Sequence, residues 1–200
     1  MTPSAGLTDV PAGKLAEVVT SLEMLARPTP RPDPTPAPWR LHHHERIALA
    51  AFRDLFRRIG ADWLWASRLA LGDAALAAIV HHPDVEVRSL RLGDVEEGLL
   101  ELDFREPATC ELSFFGVAPA LVGSGAGRWL MNRALDIAWS RPIRRFWVHT
   151  CTHDHPAALP FYLRSGFRAF RRQVEISDDP RLTGLLPRTA APQVPLIAAE

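Results

Sequence analysis

The stretch Glu111-Leu-Ser-Phe-Phe-Gly-Val-Ala-Pro119, continued by Ala120-Leu-Val122 and Gly123-Ser-Gly-Ala-Gly127, decides how the chain is read. An apolar run leads into a turn of alternating glycines. The turn leads into a segment with Leu130, Ala134, Leu135 and Ala138 at helical spacing. The first N–H groups of a helix have no partner inside it, and the helix dipole favours an anion at that end. Glycines at 123, 125 and 127 let the backbone close around a phosphate with no Cβ atoms in the way. The segment therefore reads as strand, phosphate cradle, helix. Two other phosphate loops are excluded. A nucleotide-hydrolase loop needs Gly-Lys followed by Ser or Thr, but Gly127 precedes Arg128 and Trp129. A dinucleotide fingerprint needs glycine where Arg128 or Leu130 stands. On these residues alone, a purely structural turn stays open.

Working outward, Ile47, Ala51 and Leu55, with Phe52, Phe56 and Ile59 beside them, predict a helix over 43–59 that Gly60 ends. Gly72-Asp73 opens a second helix, and Pro83 stops it. Strands are expected over 85–92, 99–104 and 109–117, a helix from the glycine turn to about 140, a strand over 145–151, a helix over 156–165 and a strand over 167–176. Residues 15–25 read as a strand around 16–22 or as a short helix. The order is strand, two helices, three strands, helix, strand, helix, strand: an α/β (α+β) domain on a mixed, mostly antiparallel central sheet flanked by helices. A single domain over 14–200 is expected. Residues 1–13 form a flexible start, 27–39 a stiff proline-rich loop (Pro28, Pro30, Pro32, Pro34, Pro36, Pro38), and 177–200 a weakly structured tail.

Composition narrows the class. The chain has 200 residues, 47% of them hydrophobic, with 23 basic against 23 acidic side chains. That length buries one real core. Zero net charge argues against general electrostatic binding of nucleic acid. Two cysteines, Cys110 and Cys151, make no disulfide framework and fit a reducing cytoplasm. No signal peptide is visible, and no apolar stretch approaches the ~18 residues that span a membrane. The Ala-, Arg- and Pro-rich composition suggests a bacterial gene.

The glycine turn also resembles the pyrophosphate loop of the GNAT superfamily, the Gcn5-related N-acetyltransferases, which reads Gln or Arg, two residues, Gly, one residue, Gly or Ala. Val122, Gly125 and Gly127 occupy those places, so Val replaces Gln/Arg. The family's second segment reads Asn, two residues, Ala, three residues, Tyr, three residues, Gly-Phe. Here it is His155, Ala158, Tyr162, Gly166 and Phe167, with only the Asn departing. The resemblance covers roughly residues 85–176. It implies acetyl-CoA as co-substrate, held by Phe115, Gly116, Val117, Val122, Gly123, Ser124, Gly125, Ala126, Gly127, Arg128, His155, Ala158 and Tyr162. It also implies a primary amine as acceptor, acetylated by direct attack in a ternary complex. The family's closing strand could come only from 193–198.

Within that resemblance Tyr162, the only tyrosine, is placed to protonate the leaving sulfur. A phenol near ~10 and a thiol near ~8.5 are close enough for the transfer. Glu111 is the first candidate for the base, sharing a strand face with Ser113 and Phe115 by simple alternation. His149 is the second, with an ordinary pKa near ~6.5; water is the third route. His149, Cys151 and His153 would share a face if 145–153 were one strand. They would then stand about 7 Å apart, too far for one ion, and so line the cleft. No metal is expected. His42, His43 and His44 read as a solvated turn at a helix start. Trp63 and Trp65 suit either an aromatic wall over the acceptor or the core. Expected partners are a small-molecule or peptide amine and, at most, a second copy of the chain as a homodimer, with no nucleic acid and no membrane. The rival reading is a non-catalytic acyl-CoA-binding or sensor module, kept open by Val122 and His155.

Overall fold

The computed structural model describes residues 5–29 and 31–198. Expectations that touch residues 1–4, Pro30 and 199–200 lie outside that range.

Seven strands form one sheet in the order β2-β3-β4-β5-β6-β1-β7. They are β1 (Lys14–Met24), β2 (Arg40–His44), β3 (Val85–Leu92), β4 (Val95–Asp103), β5 (Thr109–Val117), β6 (Arg145–Thr150) and β7 (Arg168–Asp178). The helices are α1 (Leu49–Gly60), α2 (Asp73–Val80), α3 (Ala126–Ala138) and α4 (Ala158–Arg164). Only β5 and β6 pair in parallel; the other pairs are antiparallel. Among the described residues no helix is long and apolar enough to cross a membrane.

The sheet separates two cores. One face packs Leu102, Leu112, Phe146 and Phe167 against Leu130, Ala134 and Leu135 of α3 and Tyr162 of α4. The other packs Val87 and Leu99 against Phe52, Phe56 and Ile59 of α1 and Leu76 of α2. Fully burying each such side chain contributes about 1.5–3 kcal/mol.

Three readings of the sequence meet the structure as follows. First, of the strand or short helix open for residues 15–25, the strand forms. It crosses the sheet and fills the slot between β6 and β7, pairing Thr20 with Thr150 and Val18 with Val174. Val19–Leu22 are buried on both faces, as an inner strand requires. Second, residues 42–44 are neither turn nor helix start. They form β2, pairing His42 with Ser89 and His44 with Val87, so α1 begins only at Leu49. Third, no strand forms over 193–198 among the described residues, where Val194 packs against the α1 core and its carbonyl accepts from Arg181 instead of a neighbouring strand.

The described residues of the tail, 179–198, form no regular element but are packed. Leu186, Ala190 and Ala191 are buried in the α1 core. Arg181, paired with Asp179, donates to the carbonyls of Ala190, Ala191, Val194 and Pro195.

The proline-rich segment straps α3. Asn132 Nδ2 donates to Arg31 O at 2.7 Å and to Asp33 Oδ1 at 2.6 Å, while Arg133 reaches Asp33 Oδ2 at 2.6 Å. Trp39 packs on Trp129, ring centroids 6.1 Å apart.

Candidate active-site cleft

β5 and β6 are paired only from Thr109–Arg145 to Glu111–Trp147. Past Glu111 they part. The edge of β5 facing β6 then has no ladder partner, and its N–H and C=O groups look into a cavity of about 790 Å³.

A bulge shapes that wall. The β4–β5 register jumps from Leu102–Leu112 to Glu101–Phe114, which corrects simple alternation along β5. Phe114 points to the α1 side, 4.7 Å from Phe56 and 5.2 Å from Trp65 between centroids. Phe115 points the opposite way, stacked 5.6 Å from Phe161 and 6.3 Å from Tyr162. Glu111 and Phe115 therefore do not share a face. Gly116 follows, where a Cβ would stand 2.4 Å from Ile59 Cγ2.

The glycine turn sits at the cavity's mouth. α3 begins at Ala126, behind Gly125 in the left-handed region (φ 93°). Ser124 N and Oγ both bond Leu121 O, and Ser124 Oγ takes the N–H of Ala126. The N–H groups of Gly123, Gly125, Gly127 and Arg128 are left without an acceptor among the described residues. Four unpaired donors at a helix start form a nest for an anion. Arg128 forms no ion pair among the described residues. Pro34 lies against the outside of the turn, 3.0 Å from where a Cβ on Gly125 would be.

Of the residues expected to contact cofactor, Phe115, Gly116, Val117, Val122, Gly123 and Gly127 line the cavity. So do His155, Ala158 and Tyr162. Ser124, Gly125, Ala126 and Arg128 shape the turn without lining it. His155 Nδ1 accepts the N–H of Ala157 at 3.0 Å, the local bond by which a short polar side chain fixes a helix entry.

Tyr162 is 7% exposed, and its hydroxyl has no hydrogen-bond partner among the described residues. Burial, with Asp154 adding to it, pushes the phenol well above its ordinary value. His149 lines the cavity; Glu111 does not. Glu111 stands behind it, with Oε1 3.4 Å from His149 Nδ1. That bond to Glu111 lifts the His149 pKa against the opposing effect of burial.

β6 stops at Thr150, so Cys151 and His153 leave the strand that was expected to carry them. Asp154 gathers the loop, accepting from Thr150 Oγ1 (2.7 Å), Cys151 N (3.0 Å) and, across the cleft, Trp65 Nε1 (3.1 Å). Trp65 thus serves both core and wall, and Trp63 meets His155 edge-on at 4.9 Å.

Four lining carboxylates were not singled out from sequence as site residues: Glu17, Asp154, Glu175 and Asp178. They come from β1, β7 and the loop after β6. Arg164 is the only lysine or arginine lining the cavity among the described residues, and Lys14, outside the lining, pairs with Asp178 at 2.5 Å. Nothing in their sequence spacing marks them, because only the inward position of β1 brings them together.

A parted parallel strand pair, with an unpaired N–H nest at its mouth and a buried phenol inside, makes a cleft suited to a ligand with an anionic end. The sequence matches the Acetyltransferase (GNAT) family model over residues 21–167. The chain belongs to the GNAT acetyltransferase family and carries its acyltransferase domain. No curated protein matches the sequence. Among solved structures, a functionally unknown conserved protein of Staphylococcus epidermidis has TM-score 0.54 and 14% identity, over 84% of this chain and 63% of its own. A GCN5-related N-acetyltransferase of Sphaerobacter thermophilus has TM-score 0.59 and 10% identity, over 82% and 52%. The chain thus spans less than two thirds of both. An aminoglycoside acetyltransferase from an uncultured soil metagenomic sample, solved with trehalose and with sisomicin, has TM-score 0.54 and 15% identity, over 64% and 88%. At such identities these likenesses bear on the fold.

Proposed function

We propose that this domain transfers the acetyl group of acetyl-CoA to a primary amine by direct attack in a ternary complex. The carrying observation is the set of four unpaired N–H groups at Gly123, Gly125, Gly127 and Arg128, beside the point where β5 and β6 part. The pyrophosphate fits that nest, and Val122 in place of Gln or Arg removes only a side-chain contact. Phe115–Val117 suit the pantetheine arm, since their free backbone edge can pair with its amides.

Bound acetyl-CoA would supply an activated acetyl group as a thioester. His149 takes the proton from the amine, with Glu111 holding its ring from behind. A fixed N–H on the open edge of β5 polarises the carbonyl, commonly the largest catalytic contribution. Tyr162, protonated at neutral pH like any phenol, gives its proton to the departing sulfur. The carboxylates Glu17, Asp154 and Glu175, unpaired with lysine or arginine among the described residues, support a small cationic acceptor, with Trp63 and Trp65 against its apolar parts. Free thiols at Cys110 and Cys151 support a reducing cytoplasm as the place of work.

Calorimetry with acetyl-CoA tests this, with Gly127→Glu beside the natural sequence. A Cβ at Gly127 meets only Phe161, at 3.9 Å, so the variant should fold while its charge and bulk fill the nest. Micromolar binding that the variant loses supports the reading. Equal binding by both, or none by either, overturns it.

A further inference from the structure

We propose that Glu17, Cys151 and His153 form a binding site for a divalent transition-metal ion of the zinc class, inside the cleft. Sequence spacing argued against a metal because three ligands along one strand stand too far apart. The structure removes that objection. Cys151 and His153 lie on the turn after β6, and the third ligand, Glu17, comes from β1 alongside.

Glu17 Oε2 is 3.2 Å from His153 Nδ1, and one donor atom from each of the three residues lies within 4.8 Å of the others. Tetrahedral zinc, with bonds of 2.0–2.3 Å, needs its ligands roughly 3.3–3.8 Å apart. Closing the set thus takes a shift of about an ångström, well within the reach of side-chain rotation. Thiolate and imidazole select zinc-like ions over magnesium and calcium.

The surroundings favour a cation. Asp154 stands on the same turn and accepts the Cys151 N–H at 3.0 Å, which adds a carboxylate beside the three ligands. Among the described residues Glu17 pairs with His153 and with no lysine or arginine. On binding, the S–H bond breaks, sulfur donates its pair to the metal, and the proton leaves to solvent: one per ion. All three residues line the cavity, so the fourth coordination position opens into the cleft. Three protein ligands with one open position is how zinc is held where it meets a substrate.

The other candidate cluster, His42, His44 and Glu96, shows the contrast. There Arg91 already holds Glu96 Oε1 at 2.9 Å, so a guanidinium fills the place a metal ion would need.

The test is a Co²⁺ titration of the metal-free protein, without acetyl-CoA, read by absorbance. One equivalent should raise a sulfur-to-cobalt charge-transfer band in the near ultraviolet, bleached by Zn²⁺, with one proton released. Cys151→Ser should abolish the band, and Glu17→Gln should weaken binding about tenfold or more. Circular dichroism of both variants checks that they fold. No charge-transfer band, or a band that survives Cys151→Ser and so reports Cys110, overturns the proposal. The readout involves neither cofactor nor turnover, so failure here leaves the acetyl-CoA experiment standing, and the reverse.

Discussion

Glu111 Oε1 lies 3.4 Å from His149 Nδ1, just where β5 and β6 stop pairing. The carboxylate faces away from the main cavity and the imidazole lines it. Of the two groups the sequence offers as a base, only the histidine can meet an acceptor directly. In the proposed mechanism Glu111 is therefore a positioning residue, setting the ring's orientation and its proton affinity.

Glu111→Gln should move the acid limb of the kcat profile to lower pH. The bond to Glu111 is the main influence raising His149, burial opposes it, and Asp154 and Glu175 raise it further; Glu17 on β1 also faces the ring. A base must be neutral, so removing the chief raising influence lets His149 lose its proton earlier. The plateau should fall several-fold with KM little changed. The profile is taken with a chelator present, so that no ion sits at Cys151. An unmoved limb would remove the pair from the mechanism.

Tyr162→Phe should lower kcat by about tenfold or more while acetyl-CoA affinity stays within a few-fold. The hydroxyl has no protein partner to lose, so stability should scarcely change. Unchanged turnover beside unchanged affinity would mean that the phenol carries no proton and that the ring serves only to pack against Phe115 and Phe167.

What was legible in the sequence followed from local physics. The strand over 109–117, the glycine turn and the helix after it are set by near neighbours, whereas Tyr162 and His155 are marked only by their places in the family's second segment. What escaped depends on distant pairing. Val18, Val19 and Thr20 have high strand propensity, but nothing local says which slot the strand fills. His42–His44 look like a helix entry until β3 offers them a ladder. The bulge that turns Phe115 away from Glu111 is visible only against β4. The acidic lining of the cleft depends on all of these at once.

Gly116→Ala should cost about 1–3 kcal/mol, measured by urea unfolding. The added methyl would meet Ile59 Cγ2 at 2.4 Å and Trp65 at 3.3 Å, and the β-branched Ile59 cannot swing aside easily. Since β5 would have to shift towards the cavity, KM for acetyl-CoA should rise as well. A stability loss without a KM change would mean that α1, not β5, gives way.

Arg181→Met should destabilise the domain by about 3–5 kcal/mol at neutral pH, because it leaves Asp179 buried without its partner. Arg181 is 3% exposed and Asp179 is 2% exposed. Burial alone would push the Asp179 carboxyl up, but hydrogen bonds and charge from Arg181 hold it below its ordinary value. The pair's contribution is thus complete above the unfolded aspartate pKa of ~3.9 and fades as pH falls through the depressed native value. In the variant the sign reverses. Asp179 then has a raised native pKa, so acidification protonates it and restores stability. Unfolding free energies measured from pH 7 down to pH 4 should therefore converge for the two proteins, as the tail regains its anchorage in the α1 core. A gap that stays constant over that range would show that the lost bonds to the carbonyls of Ala190, Ala191 and Val194 outweigh the buried charge.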